Sequence, residues 1–159
     1  MNFLKPNRRG EKGQAAVEFA LTIVFLMLLI VGFVELIMML HTYNVMADAA
    51  KEGVRFAIVH GAANTGGSGP STGSATTPPC TTLNATTTNV TSVKDAVKAY
   101  AQLSLHDVSN LTVNVCYFDG TNKNANRVGV AVSYPYQPFF GLGWPTVTVN
   151  AAAQGRIVF

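Results

Sequence analysis

The side chains able to do chemistry in this sequence are few and widely spaced. Three histidines are present, His41, His60 and His106, the last beside Asp107. Adjacent side chains seldom converge on one point, so His106 and Asp107 make a poor catalytic dyad. No nucleophile elbow, phosphate-cradling glycine loop or paired-carboxylate motif accompanies them. Two cysteines, Cys80 and Cys116, are too few ligands for zinc, and no histidine lies at a matching spacing. Each histidine therefore reads as a surface or capping residue, and the chain is expected to be non-enzymatic, without cofactor or metal. What remains is a pair of acids inside an apolar run, Glu18 and Glu35. A carboxylate on a helix near hydrocarbon is costly, so it sits at the interface, faces a partner or takes up a proton.

The element that positions them is the stretch Gly13 to Leu40. Ala15 to Leu40 supplies about 26 mostly apolar residues, against the roughly 20 that a bilayer core requires of a helix. A buried helix of a water-soluble domain would show a polar stripe every third or fourth residue, and between Ile23 and Val34 there is none. A membrane span is the better reading. Lys5, Arg8, Arg9 and Lys12 precede it against the single acid Glu11, while the charges after it (Asp48, Lys51, Glu52, Arg55) are mixed. Positive charge close to a span stays in the cytoplasm, so the N-terminus is expected inside and everything from about His41 outside. The protein would then be a single-pass inner-membrane protein with an extracytoplasmic C-terminal domain. A secretory leader fits poorly, because the apolar run is too long and Leu40-His41-Thr42-Tyr43 is not a small-residue cleavage site.

With 159 residues and a net charge of +3, there is room for one anchor helix and one small domain. Beyond His41 the bases barely outnumber the acids and are scattered, which excludes a nucleic-acid surface. The expected organisation is a basic leader over 1–13 without a fold of its own, a span over 14–40, and a helical continuation over 41–61. A flexible Gly/Ser/Thr-rich loop over 62–91 and a small ectodomain over 92–159 follow. Met46, Ala49/Ala50, Gly53/Val54 and Ala57 recur at helical spacing, with the charges on another face. One helix from about Gln14 to His60 is predicted, on the order of 70 Å at 1.5 Å per residue, with Gly61 as its stop.

Ser92 followed by Asp95 has the form of a capping box, opening a second helix that ends near Ser104. Alternation through Leu111, Val113, Val115 and Tyr117, through Val128 to Tyr134, and through Val147 and Val149 predicts three strands. The last runs over Thr146 to Ala151, with room to extend. The fold class is α+β: a long N-terminal helix packed on a three- or four-stranded antiparallel sheet, with one further helix. In an exported domain, Cys80 and Cys116 favour a disulfide tying the threonine-rich loop to the first strand. Pro135 to Pro145 is read as a loop, and Tyr136, Phe139, Phe140 and Trp144 make it a contact candidate. They either form an exposed contact patch, cover the end of the sheet, or touch lipid headgroups.

The front of the span has a further pattern: Gly13, four uncharged residues, then Glu18-Phe19. It resembles the type IV prepilin signal, a basic leader cut after glycine with glutamate as fifth residue of the mature chain. The wider block, Gly13 to Leu21, Gly32-Phe33-Val34-Glu35 and Ala49 to Ala57, resembles the N-terminal region of the TadE-like family. Those proteins are minor pilins or pseudopilins of the tight-adherence (Flp) pilus system. The resemblance covers about Gly10 to Gly61, and Gly129 to Tyr136 is more weakly similar to a C-terminal pattern of the family.

The resemblance implies cleavage between Gly13 and Gln14 by a prepilin peptidase, with Glu18 and Phe19 setting register. Other pilin or pseudopilin subunits and the pilus assembly platform would be the partners. Physically, cutting there would place a new ammonium one helical turn from Glu18. The carboxylate of one subunit could then pair with the Gln14 ammonium of its neighbour and fix axial register. The plainer alternative for Glu18 is that it reaches the cytoplasmic headgroups beside Lys12; Glu35 reads best as lying at the far interface, where a glutamate costs little. Major Flp pilins are far shorter than this chain, so the comparison favours a minor subunit. An uncleaved, membrane-anchored binding or adhesion module is the other class of function left open.

Overall fold

A computed structural model of the chain describes residues 9–70, 82–83, 87–141 and 145–159, with side chains from Gly13 onward. Helix α1 spans Arg9–Val59 and α2 spans Thr91–Gln102. Strands β1 (Thr112–Tyr117), β2 (Arg127–Tyr136) and β3 (Val147–Arg156) form one antiparallel sheet in the order β1-β2-β3. The α+β class follows, with three strands.

The chain divides after Met38 into two units. The first holds the N-terminal part of α1. Its apolar side chains point outward all along: Phe19, Leu21, Val24, Phe25, Met27, Phe33 and Ile37 are among those exposed. Length and composition make this helix able to cross a membrane. In water such a surface would be untenable, since water-exposed apolar patches of this extent mark contact with lipid or protein. The leader departs from expectation, because Arg9 to Gly13 already belong to α1. Arg9, Glu11 and Lys12 are good helix formers, and after Pro6 nothing stops the helix from extending back through them.

The second unit begins at Met39 and contains the rest of α1. There the buried residues Thr42, Val45, Met46, Ala49, Ala50, Val54 and Ala57 recur every three or four positions, the stripe read from the sequence. The opposite face carries Lys51 bonded to Asp48 at 2.9 Å and Arg55 3.9 Å from Glu52. The stripe, Val93, Val97 and Ala101 of α2, and Val113, Val115, Tyr117, Val128, Val130 and Val132 of the sheet make one core. Gly53 permits the closest approach. A Cβ there would lie 2.4 Å from Val97 Cγ2 and 3.2 Å from Val130 Cγ1, so only glycine fits among α1, α2 and β2.

Three local expectations are corrected. First, α2 has no capping box: its N-cap is Val90, without a side-chain cap bond, and Ser92 already lies inside the helix. Buried Val90 and the left-handed Asn89, whose carbonyl and amide engage Gly69, set the helix start instead. Second, β2 runs on through Pro135 to Tyr136. β1 pairs with β2 only as far as Ser133, so beyond it one side of β2 is open and a missing N–H leaves no ladder bond unmade. Third, Gly61 to Pro70 is packed rather than loose. Ala62 N–H donates to Asn122 O, Ser68 N–H to His60 O, and Asn122 N–H to Pro70 O, and Ser68 is buried. Asn64 closes the end of α1 by donating from Nδ2 to Val59 O at 3.1 Å. The remainder of the expected loop, 71–81 and 84–86, lies outside the described residues.

Candidate processing and assembly site

Gly13, Gln14, Glu18 and Phe19 share the first turns of α1. Residues Ala15, Ala16 and Ala20 keep those turns helical without crowding. Gln14 and Glu18 stand one turn apart, and Gln14 Nε2 donates to Glu18 Oε1 at 3.0 Å. Thr22 Oγ1 donates to the backbone carbonyl of Glu18 at 2.8 Å. The carboxylate is therefore presented on the outside of the helix, steadied by an amide, with capacity for further donors. Phe19 beside it is 68% exposed.

Gly13 is unlike Gly53. A Cβ at Gly13 would meet nothing within 4 Å, and the same holds for Gly32. A helix-interior glycine costs about 1 kcal/mol relative to alanine, so intrachain packing gives no reason for either. At Gly13 the effect is a weak point in the helix, a place where the backbone opens most cheaply.

The other residues singled out from the sequence lie elsewhere. Glu35 is only 4% exposed, between exposed Val34 and Leu36. Cys116 is fully buried on β1 and disulfide-bonded, while Cys80 lies outside the described residues. Tyr136 belongs to β2, opposite Val147, and packs partly against the core. Phe139 and Phe140 are exposed and meet edge to face with ring centroids 5.3 Å apart. Trp144 lies outside the described residues.

The histidines are not brought together. His41 is exposed, and His60 stacks on Phe56 at 3.9 Å with Nδ1 2.9 Å from Phe56 O. Asp107 accepts from Ser109 N–H and Oγ rather than from His106. Those bonds from Ser109 hold its carboxyl below the ordinary aspartate value. Among the described residues no group of three or more histidines, cysteines or acids is placed to hold a metal.

Two polar centres in the Met39–Phe159 unit were not revealed by the sequence. Buried Tyr117 donates to Ser68 O at 3.2 Å, and burial raises its phenol above the usual value. Gly69, at φ +91°, lies so close that a Cβ would meet the Tyr117 ring. Arg127 grips Asp119 through Nη2 at 3.0 Å, while its backbone N–H donates to the same carboxylate at 2.7 Å. Asp119-Gly120 was legible as a turn; its partner eight residues on was not.

The geometry thus gives an outward carboxylate on a lipid-suited helix, five residues past an unpacked glycine. Residues 13–55 match the family model of TadE-like proteins. The matched segment begins at Gly13 and takes in Gln14, Glu18, Glu35 and Gly53. It ends before α2 and the sheet, so the TadE-like match does not extend to the weaker pattern at Gly129 to Tyr136. The TadE-like family is a structural, pilus-related one. No curated protein and no solved structure matches the chain.

Proposed function

We propose that this chain is a minor pilin or pseudopilin that takes part in assembling a tight-adherence (Flp) type IV pilus. It enters the inner membrane with its basic leader in the cytoplasm, and a prepilin peptidase cuts it between Gly13 and Gln14. The mature helix is then drawn from the bilayer into a complex with other pilin-like subunits at the assembly platform.

One observation carries this reading. Glu18 stands exposed on an otherwise lipid-suited helix, five residues past an unpacked Gly13, within the TadE-like segment. A peptidase must bind the chain locally extended, and glycine lowers the cost of unwinding α1 at that bond. The cut would free an ammonium at Gln14, beside an amide that already reaches Glu18 in the uncut chain. In a bundle, the Gln14 ammonium of one subunit facing Glu18 of the next would satisfy both charges away from water. That pair would also fix the axial offset.

N-terminal sequencing of the protein extracted from membranes that contain the peptidase tests the reading. A chain starting at Gln14 is expected. A chain still starting at Met1 in cells that build functional pili would contradict it and favour an uncleaved, anchored binding module.

A further inference from the structure

The ectodomain has two unlike ends, and the strand register distinguishes them. β2 and β3 pair from Arg127 opposite Arg156 at one end to Tyr136 opposite Val147 at the other. Helix α1 runs alongside β3 in the same direction. Val54 and Ile58 lie against Gly155, and Met39, Leu40 and Tyr43 share a groove of ≈ 380 Å³ with Val147 to Asn150. The β2–β3 hairpin tip is therefore at the end of the domain where the chain arrives from its apolar segment.

The hairpin that forms that end carries no charge, although Asp107 of the α2–β1 connection lies toward the same end, since β1 begins at Thr112 opposite Ser133. From Val128 to Gly155 the sequence contains no Asp, Glu, Lys or Arg, whereas Arg127, Arg156 and Asp119 cluster at the opposite end. At the tip Phe139 is 77% exposed, Phe140 44% and Val147 45%, and Leu40 and Tyr43 of α1 are exposed nearby. Aromatic and aliphatic side chains beside a span, on a hairpin with no charge of its own to keep hydrated, suit the headgroup boundary of a bilayer.

We propose that the β2–β3 tip, through Phe139, Phe140 and Val147, seats in the outer headgroup region of the membrane that α1 crosses. The occupant is lipid: chain continuity at Met39 brings this end to the bilayer, and the charge-free hairpin lowers the desolvation cost of contact. The inference rests on α1 being a span. It adds a second point of attachment, so drawing the helix out of the membrane requires the tip to let go.

Single-tryptophan fluorescence of the full chain in phosphatidylcholine vesicles tests it. Trp144, the chain's only tryptophan, is replaced by Phe, and Phe139→Trp, Phe159→Trp or Phe25→Trp is added. Phe139 is exposed, and Phe159 is exposed at the opposite end, where its carbonyl crowds Gly61. With bromine near the headgroups in one set of vesicles and near the chain ends in another, the probe at 139 is expected to lose most of its emission in the first set, the probe at 25 in the second, and the probe at 159 none in either. Quenching at 25 but not at 139 overturns the proposal and leaves the span intact. Failure of quenching at 25 overturns the span itself. A probe at 139 shielded from aqueous iodide only at high protein-to-lipid ratio assigns the tip to a second copy, and also overturns the proposal.

Discussion

At the scale of single residues, two glycines in one helix play different parts. Gly53 is demanded by packing, because a methyl group there would strike Val97 and Val130. Gly53→Ala is expected to lower the unfolding free energy by about 1–3 kcal/mol, measured by urea titration of the ectodomain signal. Gly32 touches nothing in its own chain. Gly32→Ala should leave that same titration unchanged, so any defect it causes in pilus assembly would report contact with a neighbouring helix. The charge pair at Asp119 gives a pH signature. Hydrogen bonds from Arg127 hold the Asp119 carboxyl below its ordinary value, so the folded state binds fewer protons than the unfolded one in the acid range. Its contribution is present above the usual aspartate value of about 3.9 and is lost as pH falls through the lowered one. Asp119→Asn should flatten the fall in urea midpoint on acidification, and an unchanged slope would show that the pair contributes nothing.

At the scale of elements, what was legible followed from periodicity. The buried stripe of α1 from Thr42 to Ala57 and the alternation of β1 and β2 place apolar side chains at spacings that only one backbone form can bury together. What was not legible depended on backbone hydrogen bonds between distant segments. Nothing in the composition of Gly61 to Pro70 distinguishes a loose linker from a turn pinned by Asn122, Tyr117 and His60. The Asn64-x-Gly66 pattern was a usable signal, since Gly66 N–H donates to Asn64 Oδ1 in a local turn. The start of α2 was misread because Ser92 fits a cap by type, while the core draws in Val90 and so begins the helix earlier. At the glycine and acid of the candidate site, sequence pattern carried more than packing, because those residues have few partners within their own chain. The buried thiol of Cys116 is committed to a disulfide, and we propose Cys80 as its partner. Reduction is expected to cost the ectodomain about 2–4 kcal/mol. Non-reducing peptide mapping should recover Cys80 and Cys116 in one linked fragment; finding them in separate fragments would refute the pairing.

At the scale of the whole molecule, the two units call for different surroundings. The Met39–Phe159 unit buries its own apolar stripe and sheet face, whereas the N-terminal unit exposes apolar side chains throughout. Under the proposed function such a surface is covered by lipid before assembly and by other helices after it. On that reading Glu18 would tell the two states apart, by pairing with the Gln14 ammonium of a neighbouring subunit in a bundle of cleaved subunits. The most direct measurement is recovery of a Glu18→Ala chain in the sheared pilus fraction, with its N-terminus sequenced in parallel. The account predicts a chain that starts at Gln14 yet is missing from the assembled fraction. Glu18→Ala copies recovered at the wild-type level in that fraction would contradict it.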